Sequence, residues 1–186
     1  MWNAQSLAVE RYFSVKGSVK KPSKTEMTAQ RSASVTRGKL KLRLFGVFEA
    51  RLPSGCLAAL SARKCEALLA FLALHPAEPQ FRDRLATLLW SGSGDEQARH
   101  SLRQALATLR RSLGSSEQFF QTSRDAVKLE REAVDVDVLT FRELLDADDA
   151  AALERAADLY TGPLLDGLTL HEEPFDDWLA QREPRA

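Results

Sequence analysis

The sequence predicts an α+β protein: a small antiparallel sheet, three helices and a β-hairpin over residues 39–132, then an all-helical segment over 133–186. Three observations carry this. Leu40, Leu42 and Leu44 alternate with Lys39, Lys41 and Arg43, the period-two pattern of a half-buried strand. Between Ser61 and Gly114 the apolar residues recur at helical spacing in three stretches separated by Pro and Gly. Beyond Val134 both the pattern and the charge change, and two or three short amphipathic helices follow.

The elements follow in order. Residues 1–38 are rich in Ser, Lys, Thr and Gln and are expected to be disordered, with only the short patch Tyr12-Phe13-Ser14-Val15 to bury. Met27 is an alternative translation start, which would make the first residues a matter of start-site choice. After the Leu40–Leu44 strand, Phe45 to Arg51 continues into a second strand through a bend at Gly46. Leu52-Pro53-Ser54-Gly55 is a turn, and Cys56–Leu60 is expected as a third short strand. Ser61 is the expected N-cap of the first helix, in which Cys65, Leu68, Leu69, Leu72 and Ala73 share a face and which ends at His75-Pro76. The second helix runs from about Arg82 to Trp90 with Leu85, Leu88 and Leu89 inside. Ser91-Gly92-Ser93-Gly94 is a connector, Asp95 caps the third helix, and Gly114 ends it. Phe119–Gln121 and Val127–Leu129 flank the polar tip Thr122-Ser123-Arg124-Asp125, a hairpin. Helices are then expected over Val136–Leu145 (Leu139, Phe141, Leu144 and Leu145 inside), Ala150–Tyr160 (Leu153, Ala156, Ala157 and Tyr160 inside) and Phe175–Arg182.

Formal net charge is zero, but it is unevenly spread. Residues 1–43 hold 10 Lys/Arg against 2 Asp/Glu, residues 44–134 hold 12 against 10, and residues 135–186 hold 4 against 14. A basic front and an acidic tail point toward a nucleic-acid partner, because local fields, not the total, decide where a polyanion binds. No run is apolar for the ~20 residues of a membrane span, and the first thirty residues lack an apolar signal core, so a cytoplasmic protein without a membrane partner is expected. Cys56 and Cys65 have no zinc spacing, and Cys65 reads as a core residue, as do Trp90 and Trp178. His75, His100 and His171 lie far apart, and there is no phosphate loop or dinucleotide glycine motif. No enzyme, cofactor or metal site is expected.

The third helix carries the chemistry. On a helical wheel Ala98, Leu102, Ala105, Leu106, Leu109 and Leu113 share one face. His100, Arg103, Gln104, Ala107 and Arg111 point the other way, with Arg99 and Arg110 on the flanks, and small Ala107 permits close approach to a surface. Arginine can bind guanine through O6 and N7, glutamine can do the same for adenine, and flanking arginines suit phosphates. Arg82 and Arg84 at the start of the second helix, and Arg63 and Lys64 at the start of the first, are candidate phosphate contacts, with Arg124 at the hairpin tip. The same pattern also fits a plainly solvated helix face. Two helices, a longer basic helix and a hairpin with a basic tip form the order of a winged helix-turn-helix.

Three blocks in order, Arg63–Pro76 (RKCEALLAFLALHP), Arg82–Trp90 (RDRLATLLW) and Ala98–Arg111 (ARHSLRQALATLRR), closely resemble the DNA-binding region of antibiotic-regulatory-type bacterial activators, the SARP class, over about Leu40 to Leu129. Those resemble the OmpR-type winged helix. The resemblance implies double-stranded DNA as partner. It places Arg99, His100, Arg103, Gln104 and Arg111 at the major groove and Arg124 at the minor groove or backbone. It also makes residues 91–95 the turn that can touch RNA polymerase. Val136–Phe141, Ala156–Gly167 and Glu173–Leu179 resemble the opening of the bacterial transcriptional activator domain, a helical, tetratricopeptide-like module. That module continues for more helix pairs, so the segment over 133–186 is either truncated or docked on the winged helix or on another subunit, as in a homodimer. The expected function is a sequence-specific DNA-binding activator. The alternative is a truncated protein-interaction module whose winged helix no longer binds DNA, or whose acidic tail shields the basic helix.

Overall fold

In the computed structural model, which describes residues 38–114, 118–147 and 149–182, the alternation at the front becomes β1 (Leu40–Arg43), with Leu40 and Leu42 buried and Lys41 and Arg43 exposed. The disorder expected over 1–38 lies outside the described residues, Gly38 excepted. β2 (Glu49–Arg51) pairs antiparallel with β1, Leu42 opposite Ala50. The third strand expected at Cys56–Leu60 does not form. That stretch makes one bridge, Arg51 with Leu57, and one hydrogen bond from Ala58 N–H to Ala50 O (2.8 Å). Ala58 and Leu60 pack on the core while Leu57 stays exposed, and the pairing goes no further. The place beside β1 is taken by β6 (Val134–Val136), which pairs in parallel with Leu40 opposite Val134 and Leu42 opposite Val136. The sheet is therefore mixed, in the order β2-β1-β6, not antiparallel.

The three helices stand close to their expected bounds: α1 (Arg63–Ala73), α2 (Arg82–Leu89) and α3 (Asp95–Leu113). α1 is buried nearly all round from Cys65 to Ala73, the mark of a central helix. Its N-cap is Ala62, not Ser61, and has no capping side chain. α3 begins one residue earlier than a cap at Asp95 would require. Gly94 is the N-cap and Asp95 is the first helical residue, where, with Glu96, it suits the positive end of the helix. Gly114 ends α3 at φ 71°, a conformation that favours glycine.

The hairpin forms from β4 (Phe120–Thr122) and β5 (Ala126–Leu129). The unexpected β3 (Gln80–Phe81), directly before α2, pairs with β5 and makes a second sheet in the order β3-β5-β4.

The tail folds onto this framework. α4 (Asp137–Leu145) starts directly after Val136, the last paired residue of β6, and its Asp137 carboxylate accepts the backbone N–H groups of Leu44, Phe45 and Val138 at 2.7–3.0 Å. α5 (Ala150–Leu159) packs against α4 through Ala152 and Ala156, with Asp149 as its N-cap. The expected inner face of this helix is thus rotated: Leu153 is 50% exposed and Tyr160 40%. In α4 only Val138 is fully buried, while Leu139, Phe141, Leu144 and Leu145 are half-buried. Residues 161–166 lie along 44–46. Leu165 N–H donates to Leu44 O (2.7 Å), Gly46 N–H to Pro163 O (2.8 Å) and Thr161 Oγ1 to Phe45 O (2.8 Å). Gly46 has φ 74°, and a side chain there would also press on Thr161, so the crossing requires glycine.

The last helix, α6 (Glu173–Ala180), buries Phe175 and Trp178. The Trp178 ring lies 5.0 Å from Phe71 of α1. Together with Cys65, Trp90 and the sheet residues, they belong to one continuous core. Among the described residues no helix is long and apolar enough to cross a membrane.

His75 closes this junction. Its Nδ1 is 2.8 Å from Phe71 O and its Nε2 is 3.1 Å from the Arg182 guanidinium, an arrangement suited to a neutral ring with the proton on Nδ1. Burial first, then the charges of Arg182 and Arg84, push the His75 pKa below its ordinary value, against the pull of the Phe71 carbonyl and Glu78. The native ring therefore resists a proton that the unfolded chain accepts. Stability from this group is complete above pH ~6.5 and falls as pH drops through that value toward the lowered native pKa. Urea midpoints measured at pH 7.5 and pH 5.5 should fall further for the wild type than for His75→Gln. An equal fall in both would remove the assignment.

Candidate nucleic-acid interface

α3 presents the face its sequence pattern defines. Ala98, Leu102, Ala105, Leu106, Leu109 and Leu113 are its buried residues, and Arg99, His100, Arg103, Gln104, Ala107 and Arg111 are exposed. The inner stripe packs on α2 and α1, so the core fixes the direction of the outer residues.

One flank of α3 is built jointly with α2 and the hairpin. Arg82 N–H donates to Asp125 O (2.8 Å) and Arg82 Nε to Ser123 O (3.2 Å), tying the start of α2 to the hairpin turn. Arg110 donates to Thr122 Oγ1 (2.9 Å), tying the end of α3 to β4. The turn itself is held by Ser123, whose hydroxyl oxygen accepts from Ala126 N–H (3.0 Å). Arg124 projects from this turn, exposed. Arg82, Arg103 and Arg110 stand close enough to act on one another. The Arg82 guanidinium is pulled below its usual range by burial first and then by Arg110 and Arg103, with only Asp125 opposing. Among the described residues Arg103 and Arg124 have no carboxylate in ion-pair range. Such convergence of unpaired positive charge is costly without an anion and suits a phosphate backbone.

The other predicted residues sit differently. Arg99 is paired with Asp83 of α2 at 2.8 Å, with both side chains more than half exposed, so the pair is weakly held and open to exchange. Arg111 bonds Thr108 one turn back (3.1 Å). His100 is exposed on the outer face. Arg63 is exposed at the start of α1, but Lys64 is engaged: its Nζ meets Glu172 at 2.6 Å and lies 5.2 Å from the Trp90 ring centroid. Lys64, Arg63 and Gln104 line an open groove of about 590 Å³ on the flank of α3 away from Arg110. Of the ten predicted residues, Arg82, Arg110 and Arg124 gather at the hairpin, with Arg103 within reach of Arg82. Arg63, Lys64 and Gln104 border the groove at the start of α1, and Arg99, His100 and Arg111 stand on α3 outside both groups. Arg84 stacks over Phe71 at 5.8 Å. Thr122 and Ser123, which hold the arginines in place, carry no signal in the sequence beyond turn composition.

No protein-family pattern and no curated protein matches the sequence. Among solved structures the chain is similar to Mycobacterium tuberculosis EmbR, in complex with a low affinity phosphopeptide, with a TM-score of 0.60 and 22% identity. The fold is shared with EmbR. The likeness covers 77% of this chain and 42% of the EmbR chain, so this chain matches less than half of that protein's length.

Proposed function

We propose that this chain is a sequence-specific regulator of transcription that binds double-stranded DNA through a winged helix-turn-helix over 39–132. In this reading α3 lies in the major groove, and Arg124 on the β4–β5 wing meets the minor groove or backbone. The observation that carries the reading is the outer face of α3. Its uncompensated Arg103 stands near Arg82 and Arg110, which hydrogen bonds fix to the hairpin, and core packing of the inner stripe fixes the direction of the helix. His100, Arg103 and Gln104 are the candidates for base contacts. Arg63, Arg82, Arg99, Arg110, Arg111 and Arg124 are the candidates for phosphates. Lys64 joins them once released from Glu172. The three sequence blocks support a SARP-class activator with the 91–95 turn as a contact for RNA polymerase. The runs Val136–Phe141, Ala156–Gly167 and Glu173–Leu179 support residues 133–186 as the opening of its activator domain, and a cytoplasmic location goes with this reading.

Fluorescence anisotropy on labelled promoter DNA tests it. The wild type should bind at ~50 mM salt and weaken steeply as salt rises. Arg103→Ala with Arg111→Ala should cost at least about tenfold in affinity and flatten the log–log salt slope by about two. Absence of any wild-type binding at low salt would sink the proposal. A protein-interaction module is the second reading, favoured by Leu153 on α5 and Tyr160 just past its end, both of which stand exposed. Selection of bound sequences from a random DNA pool separates the two, because only the first yields an enriched motif.

A further inference from the structure

Glu172 stands where the chain before α6 crosses the start of α1 and the α2–α3 connector. Its Oε1 accepts from Lys64 Nζ at 2.6 Å. Its Oε2 accepts from Ser91 Oγ at 2.6 Å and from Gly92 N–H at 3.3 Å. An ammonium, a hydroxyl and a main-chain N–H thus converge on one pair of oxygens, the donor chemistry of a phosphate site. The donors come from α1 and the connector, and the acceptor is supplied from 80 residues or more further along the chain. Burial works against the Glu172 charge, yet Lys64, Ser91 and Gly92 together hold its pKa below the ordinary carboxylate value. The same Lys64 borders the groove that Gln104 of α3 lines. Phe175 and Trp178, not Glu172, anchor α6 in the core, so the Glu172 side chain can turn away without the helix undocking.

We propose that Lys64, Ser91 and the Gly92 N–H form a phosphate-binding site that Glu172 occupies from within the chain, and that a phosphate of the DNA backbone competes with Glu172 for it. The second half rests on the DNA-binding reading and the first does not. Glu172 is then an autoinhibitory group. It masks one phosphate contact, and DNA must displace it.

The test compares the full chain, Glu172→Ala, Glu172→Ala with Lys64→Ala, and Glu173→Gln, which removes a neighbouring exposed acid outside the site. In ~10 mM inorganic phosphate against chloride of equal ionic strength, Glu172→Ala should gain about 3 °C in melting temperature. The wild type, the double variant and Glu173→Gln should gain nothing comparable. On DNA, Glu172→Ala should bind about fivefold tighter at low salt, with a salt slope steeper by about one. A phosphate response no larger than that of the wild type would overturn the site. A gained phosphate response with unchanged DNA affinity would keep the site but assign it to a free phosphate-bearing ligand, overturning the DNA half. If none of the proteins binds DNA, the DNA reading and the DNA half of the proposal both fail, and the phosphate arm still decides the site. Should Glu172→Ala not fold, Glu172→Gln keeps the side-chain shape, removes the charge and must show the same gain in smaller degree.

Discussion

A chain ended at Glu132 is expected to lose cooperative folding, although α1, α2 and α3 are all retained. The reason lies in what residues 133–182 cover. Without β6, β1 keeps only the three-residue β2 as a neighbour, and its other edge is left unpaired. Eight buried apolar side chains of the continuous core go with the tail: Val134, Val136, Val138, Leu164, Leu165, Leu168, Phe175 and Trp178. Each burial is worth about 1.5–3 kcal/mol, and the groups they cover, Leu44 and Phe71 among them, become exposed. That loss matches or exceeds the ~5–15 kcal/mol that holds a typical domain folded. Urea unfolding followed by circular dichroism should show a broad, non-cooperative change for the shortened chain and a sharp transition for one ended at Arg182. A sharp transition in the chain ended at Glu132 would show that 39–132 folds alone and would sink this prediction. The consequence for function is practical. Deleting the acidic tail confounds shielding with folding, so inhibition by the tail is better probed at Glu172 alone.

The long surface helix was the most legible element because one side meets the core and the other meets water. That geometry writes a clean 3.6-residue period, and all six inner residues of α3 follow it. Short strands leave no such trace. β3 has two residues and β6 has three, and each exists because a partner strand far along the chain offers its edge. Cys56–Leu60 followed a clear turn and so read as a strand, but apart from one bridge at Leu57 it finds no strand edge to pair with. In α5 alanines lie on both sides of the helix, so the period could not choose between Ala152/Ala156 and Leu153/Ala157, and contact with α4 decided it. The outward arginines of α3 were legible for the same reason as its core. The engagement of Lys64 was not, since its partner Glu172 is 108 residues away and only the tertiary fold brings them together.

Asp137→Ala is expected to cost about 3–5 kcal/mol, an unusually large effect for a polar residue. Asp137 was visible in the sequence only as part of a block, with no sign of its role. In the fold its carboxylate sits at the point where β1 ends, β6 passes into α4 and the chain bends toward Gly46. Oδ1 accepts from Leu44 (2.9 Å) and Val138 (2.7 Å), and Oδ2 from Leu44 (2.9 Å) and Phe45 (3.0 Å). Leu44 and Phe45 are buried, so alanine leaves two N–H groups without water or protein to accept them. Each such orphan costs about 1–3 kcal/mol, and the third, at Val138, loses its acceptor in the first turn of α4. Phe45 also carries the edge contacts with Phe141 and Tyr160 and accepts from Thr161 through its carbonyl, so a shift of its backbone would loosen the seat of α4 and of 161–166 together. Asp137→Asn separates charge from geometry. It retains one acceptor oxygen but turns an amide N–H₂ toward a backbone N–H, and should lose about half as much. Urea midpoints at constant m-value measure both losses. A loss under ~1 kcal/mol for alanine would mean that the backbone donors find other acceptors and that the β1–α4 junction does not depend on this carboxylate.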